Sequence, residues 1–410
     1  MSRVSSCIAR VGIGLTAFVA SLASFGEGEG FAVTPTPVSE PPVVVFPAHS
    51  VEAGHHYGLA WTMKVEGEKA WRFRAEFAGI TVSFGDPKGD VVGTFRRHTH
   101  CSHTLDWQPG WVIFRAPDAA VSAEANFSII SSVPLPGRFL VRDVEMEDLD
   151  GPPSLPPEKA ALVLQVYDEF GQLTPARIYV RDAQGEARVP RYAFAYELAG
   201  RCFHLQDPSV GRMEVPPGRY EILAMKGFEY EPVRVTVQVA AGDVREVQCR
   251  LNRRFSLAEH GWRSGDHHTH LFRHGSSVYP MMNLQDVYTV AKGEGLAFLP
   301  FMGEDKIDPD MEQVTEPEFI GLAGHELTRD LWGHLCPIGV TTWPNLDEYE
   351  ELWPMNYDWI RAARAGHGAI AYAHPYARLN RESALEPITR PESGHVAREL
   401  PIDLALGESF

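Results

Sequence analysis

The chain has 410 residues, 44% of them hydrophobic and 22% charged, with a formal net charge of −17. That length is too great for one ordinary domain and implies two or three, and the hydrophobic share describes a globular protein rather than a disordered one. The acidic balance argues against nucleic acid or anionic membrane as a partner, since both require basic patches.

Residues 1–23 read as an export signal. Arg3 and Arg10 give a positive start, Val11 to Leu22 is apolar or small, and Ser21-Leu22-Ala23 places small residues where a signal peptidase cuts. The apolar run is short for a transmembrane helix, and no cysteine follows the expected cut to carry a lipid. The expectation is an exported protein (periplasmic, secreted or cell-surface) with no stable membrane insertion. Residues 24–42, rich in Gly, Pro and Ser, read as a flexible leader. Cys7 would leave with the signal, and Cys101, Cys202, Cys249 and Cys336 form no CxxC pair. No disulfide framework is expected, although Cys202 and Cys249 share the middle domain.

Residues 43–150 predict a β-sandwich. Trp71, Phe73, Ala75 and Phe77 alternate with polar partners, and Ile80, Val82 and Phe84 continue the pattern beyond Gly79. The runs Trp111–Pro117, Ala125–Ile130 and Arg138–Met146 resemble the closing strands of jelly-roll modules that bind carbohydrate, which makes carbohydrate a candidate partner beside a plain structural role. His98, His100, Cys101 and His103 cluster here, but in one short segment with nothing to complete a metal site, and a surface loop is expected.

Gly151 to Pro157 is a stiff, Pro-rich linker. Over 158–252, Leu162, Leu164 and Val166 alternate, as do Ile178 with Val180 and Val233, Val235, Val237 and Val239. About seven short strands in so few residues predict an Ig-like sandwich. The stretch Val215-Pro216-Pro217-Gly218-Arg219-Tyr220 resembles the carboxypeptidase-regulatory-like module, a non-catalytic companion of secreted hydrolases.

From 253 to 410 the periodicity changes. Leu284, Val287, Tyr288 and Ala291 predict a helix capped by Asn283 and stopped by Gly295, and Leu296–Met302 a buried strand. Trp359, Ile360 and Ala363 predict a second helix stopped by Gly366, and Ala369–Ala373 a strand leading into His374. Alternating helix and strand predicts an α/β domain with a mainly parallel sheet, whose ligands gather at the carboxyl ends of the strands.

Ten of the 17 histidines lie at or after His260, and the densest group is Asp266-His267-His268-Thr269-His270, with His274 close behind. His268 and His270, at i and i+2, point to one side of an extended strand and could grip one metal ion, with Asp266 on the same face. Imidazole suits zinc, iron, nickel or copper, and added carboxylates widen the choice to manganese. A surface histidine run is the competing explanation.

Three further pieces line up with this one: Gly324-His325-Glu326, Gly333-His334 and Ala373-His374-Pro375. Together with Arg398–Gly407, their order and spacing resemble the polymerase-and-histidinol-phosphatase (PHP) superfamily, in particular its CehA/McbA-type metallohydrolases. The resemblance implies two or three divalent ions (zinc, manganese or iron), with His268 and His270 on the first, Glu326 bridging, His334 and His374 on a second, and His274 serving a third. Asp266 and Glu326 would be the carboxylates of the catalytic centre, with Asp266 fixing an imidazole tautomer. It further implies a small-molecule ester or phosphoester substrate. Two departures stand out. Phe301-Met302-Gly303-Glu304-Asp305 occupies the place of an expected Asp-His, with Glu304 or Asp305 as substitutes, and the family's late Asp-x-His pair has no counterpart before Phe410.

The expectation is a multidomain chain, two N-terminal β-sandwich modules (jelly-roll-like, then Ig/carboxypeptidase-regulatory-like) followed by an incomplete PHP-like distorted α/β barrel. Its expected function is metal-dependent hydrolysis of phosphoester or carboxylic/carbamate ester bonds, weakened if the last ligands are lacking. The alternative is a non-catalytic exported protein that binds glycans or surfaces.

Overall fold

The computed structural model describes residues 31–33, 43–67, 77–100, 107–130, 137–196, 200–269, 283–303, 314–327, 335–338, 356–365 and 368–373. The export signal, most of the leader, Trp71 to Ala75, Cys101, His103 and everything from His374 onward lie outside these residues. No helix among those described is long and apolar enough to cross a membrane.

Two antiparallel sheets form the first sandwich. One runs β1 (Phe31–Val33), β9 (Gly137–Asp148), β4 (His56–Gly67), β7 (Gln108–Arg115). The other runs β2 (Val43–Val45), β8 (Ser122–Ile130), β5 (Phe77–Gly85), β6 (Val91–His100), with β3 (His49–Ser50) also on β8. Period-two alternation puts Leu59, Trp61 and Met63 of one sheet against Ile80, Val82, Phe84 and Phe127 of the other, in one closed apolar core. Two sequence expectations change here. The leader contributes an edge strand, because Phe31–Val33 pairs with Phe139–Val141. His98 and His100 lie on a strand rather than a loop, opposite Gly79 and Phe77.

Beyond the linker, β14 (Arg212–Val215), β10 (Ala160–Tyr167) and β17 (Val244–Arg250) make one sheet. The facing sheet runs β12 (Ala193–Tyr196), β13 (Cys202–Leu205), β11 (Arg177–Asp182), β15 (Gly218–Met225), β16 (Val233–Val239). The alternating residues expected inside do line the core between them, Leu162, Leu164, Ile178, Val180 and Val239 among them. Tyr220 is buried, and its hydroxyl donates to the Pro216 carbonyl at 2.7 Å, pinning the Pro-Pro-Gly turn to the core. Cys202 and Cys249 are both buried and free.

The sandwiches are docked on each other. Tyr192 lies so close over Gly58 that a Cβ there would stand 2.3 Å from its ring, which excludes any larger residue. Trp111 packs on Phe194 and Tyr192 at 5.0 and 6.1 Å between centroids, so this aromatic of the first sandwich serves the domain junction. Arg212 donates to Glu147 and to the carbonyls of Asp148 and Gly151 at 2.6–2.7 Å, tying the linker down.

In the third part, α1 (Leu284–Gly293) packs on a sheet of β18 (Phe298–Gly303), β20 (Phe319–His325) and β19 (Val314–Glu316). Asn283 caps α1 with a full capping box, its side chain accepting from Asp286 N–H while the Asp286 carboxylate accepts from Asn283 N–H. Gly295 follows at φ +72, a left-handed turn that ends the helix. β18 and β20 are parallel, and Gly265 joins the other side of β18 in a parallel bridge. Among the described residues of this part, parallel pairing is confined to β18 with β20 and the Gly265 bridge. β19 is antiparallel to β20, and β21 (Leu335–Ile338) is antiparallel to β22 (Ala369–Tyr372). For β19 and β20 the reason is connection length: residues 317 and 318 alone join them, far short of the dozen or more that a parallel crossover needs. Past β20, Leu327 pairs antiparallel with Leu335. α2 (Asn356–Ala365) buries Trp359, Ile360 and Ala363, with Trp359 against Leu327 and Leu335.

Candidate metal centre

Three chain segments meet at His268. The first is the strand end that carries it. Asp266 N–H donates to the Phe298 carbonyl at 3.3 Å, and Ala297 N–H to Ser264 at 2.9 Å, holding Ser264–Asp266 alongside β18. Gly265 is confined by that contact, since a Cβ would lie 2.9 Å from the Phe298 carbonyl oxygen and 2.8 Å from its ring. The chain then turns, with the Asp266 Oδ1 accepting the His268 backbone N–H at 3.0 Å. Asp266 thereby shapes the backbone that presents His268.

The second segment is the end of β20. Glu326 stands just past its last residue, and its side chain is 2% exposed. Leu327, the next residue, is buried in one apolar group with Leu335 and Trp359. A buried carboxylate is costly unless something cationic or a hydrogen-bond donor faces it, and His268 Nε2 lies 3.5 Å from its Oε1. The third segment is the end of β22, where the backbone of Ala373, the residue before His374, hydrogen-bonds the His268 imidazole. The Glu326 hydrogen bond, only partly offset by burial, raises the His268 pKa above its ordinary value, and the Ala373 backbone and Asp266 add to the rise.

The sequence-predicted residues therefore divide into two groups. Asp266 and His268, from one segment, and Glu326, from the end of β20, are brought together, with the backbone that precedes His374 beside them. His270, His274, His334 and His374, and also Glu304 and Asp305, lie outside the described residues. Among the described residues, no group of three or more His, Cys, Asp or Glu side chains is placed to hold a metal ion.

The pair that is described fits a shared divalent ion. Two ligand atoms each about 2.1 Å from one ion at the tetrahedral angle stand about 3.4 Å apart, and the His268–Glu326 separation is 3.5 Å. Imidazole nitrogen with carboxylate oxygen is a donor set for zinc, manganese or iron. Thr269 Oγ1 is buried next door without a hydrogen-bond partner. What sequence reading missed is the pair of carboxylates at the ends of α1: Asp286, with partners in both sandwiches, and Glu294, just past the helix, with partners in the second. The Asn283-x-x-Asp286 spacing marks a helix cap, and nothing in it signals a distant partner.

No protein-family model matches the chain, and no curated protein matches it. Among solved structures it is similar to a family 16 carbohydrate-binding module at 13% identity, covering 30% of this chain and 79% of that one, with a TM-score of 0.22. It is also similar to the CBM22-1 xylan-binding domain of Paenibacillus barcinonensis Xyn10C at 12% identity, covering 26% of this chain and 65% of that one, with a TM-score of 0.20. A third likeness is to the VP2 subviral particle of infectious bursal disease virus at 9% identity, covering 29% of each chain, with a TM-score of 0.22. Likenesses on this scale leave the activity of the chain to be argued from its own residues.

Proposed function

We propose that the chain is an exported, metal-dependent hydrolase of the PHP type, acting on ester-type bonds of a small molecule, phosphoester or carboxylic/carbamate ester. The observation that carries this reading is the meeting of His268, Glu326 and the Ala373 backbone, from three separate segments, around one buried carboxylate. The Gly265 segment, β18 and β20, parallel and side by side in the sheet, would be the first strands of the barrel, presenting the site at their carboxyl ends.

A divalent ion bound here would activate a water and stabilise the oxyanion of the attacked ester. The chain's residues have distinct tasks. His268 and Glu326 would hold the ion, with His270, His334 and His374 completing the set and His274 serving a third position. Glu326, 2% exposed, would offer its carboxylate to the ion where bulk water has little access. Asp266 fixes the turn that aims His268, and its exposed carboxylate would be a base for a proton released by the water.

The test is hydrolysis of a panel of aryl esters, carbamates and phosphomonoesters by the full chain loaded with zinc, manganese or iron. Turnover lost in Glu326→Gln supports the reading. Binding of a glycan with no turnover by any loaded form would instead favour the non-catalytic alternative.

A further inference from the structure

We infer that α1 is a clamp through which both sandwiches set the geometry of the candidate metal centre, with Arg97 and Gln206 as positioning residues acting on Asp286. The inference rests on the metal-centre reading above, and the contacts that suggest it stand independently of that reading.

One side of α1 serves the site. Val287, Tyr288 and Ala291 are buried against Leu299 of β18 and Phe319 of β20. Tyr288 meets Phe319 edge-on at 5.5 Å. It also presses on Gly321, where a Cβ would lie 2.4 Å from its ring. The helix therefore rests directly on the strand that ends at His325 and delivers Glu326.

The other side is gripped at both ends by side chains from the sandwiches. At the first turn, Asp286 is 4% exposed and Arg97, on β6 of the first sandwich, is 6% exposed. Arg97 Nη1 donates to Asp286 Oδ2 at 2.6 Å. Gln206, from the second sandwich, donates through Nε2 to Asp286 Oδ1 at 3.1 Å, while its Oε1 accepts Ile113 N–H of β7 at 3.0 Å. Three domains thus share one buried carboxylate. At the last turn, Glu294 takes Arg177 Nε at 2.8 Å and lies 2.9 Å from His204 Nε2, both from the second sandwich. Gly227 and Gly295 meet there so closely that a Cβ on either would come within 2.9 Å of the other's Cα.

A buried ion pair is a poor source of net stability, since desolvation consumes much of the attraction, but removing one partner leaves a stranded charge. Here the stranded charge would sit inside the helix cap. The cheapest relief is for α1 to shift toward water, taking Tyr288 off Gly321 and moving the strand end that holds Glu326.

The test uses the full chain with Zn²⁺ as the probe. Arg97→Met removes the guanidinium at similar bulk, and Arg97→Met/Asp286→Asn removes both charges while leaving an oxygen to cap the helix. Zn²⁺ affinity should fall roughly tenfold or more in Arg97→Met, as when other groups that orient a ligand from behind are lost, and the double variant should recover most of it. Such non-additivity marks direct coupling and is not expected of a residue that only supports its own sandwich. Hydrogen exchange should quicken across Phe319–His325 in Arg97→Met while Ile80–Phe84 keeps its protection. Unchanged Zn²⁺ affinity in Arg97→Met would overturn the inference, as would equal losses in the single and double variants. Should Arg97→Met fail to fold, Gln206→Ala carries the same prediction at smaller size. If the unmodified chain binds no Zn²⁺, the metal-centre reading fails, and exchange in β20 decides the clamp by itself: faster exchange supports it and unchanged exchange sinks it.

Discussion

Acid should loosen the carboxyl end of α1 through a single side chain, Glu294. Burial alone would push this carboxyl up, but hydrogen bonds from His204 and Arg177 outweigh it and hold the group at about 2, against an ordinary 4.5. The difference of 4.5 − 2 corresponds to about 3 kcal/mol of linkage. Solvent reaches a side chain that is 27% exposed, so we take about 2 kcal/mol as the effective contribution. A carboxyl whose folded pKa lies below its unfolded one stabilises fully above pH 4.5 and loses that contribution as pH falls toward 2. Glu294→Gln keeps the shape and removes the charge. It should cost about 2 kcal/mol of local stability near pH 7, a gap that narrows as the pH falls below 4.5 and closes near 2. Arg177 stays charged across this window, and other carboxylates titrate in both proteins and cancel in the difference. A multidomain chain has no single unfolding free energy, so the assay is hydrogen exchange of the α1 amides at matched pH. A gap that stays constant down to pH 2, or no gap at pH 7, would refute the reasoning.

Two glycines give independent checks on the frame of the site. Gly265→Ala should push the strand end off β18, because the new methyl meets the Phe298 main chain, and overpacking of this kind costs about 1–3 kcal/mol. Weakened metal binding with both sandwiches intact is the expected result, and unaltered binding would show that the bridge to β18 does not hold His268. Gly321→Ala should lower α1 protection by a similar amount through the Tyr288 ring, and trimming Tyr288 to Leu should restore part of it; a single variant as well protected as the parent would refute the close packing. In the first sandwich, Phe127→Ala should cost about 3–5 kcal/mol, measured by denaturation followed on that domain's tryptophans. A near-neutral result would mean that the two sheets do not close on each other.

Much of the sandwich architecture was legible because half-buried strands alternate. Ile80, Val82 and Phe84 announce an inward face by period two, and the same holds for Leu162, Leu164 and Val166. The cap at Asn283 and the stop at Gly295 were legible because helix ends have few chemical solutions. The return of β21 against Leu327 was not, since periodicity says where a strand is and nothing about which neighbour it takes. Arg97 was hidden for a related reason. On a strand it looks like any outward-facing cation, and only the placement of α1 turns outward into buried. Glu326 has no periodic signature either, and only the resemblance of its motif singled it out. Trp111 was legible as part of a strand, but nothing in the run Trp111–Pro117 told that its ring packs on Tyr192 and Phe194 of the next domain.

The central claim is that His268 and Glu326 hold a divalent ion, and metal stoichiometry tests it most directly. The full chain, equilibrated with zinc or manganese and desalted, should retain at least one ion per molecule by elemental analysis. The variant carrying His268→Ala and Glu326→Gln should lose most of it, while a variant lacking the side chains of His98, His100 and His103 should keep it. Retention of full metal by the first variant, or loss from the second, would contradict the account.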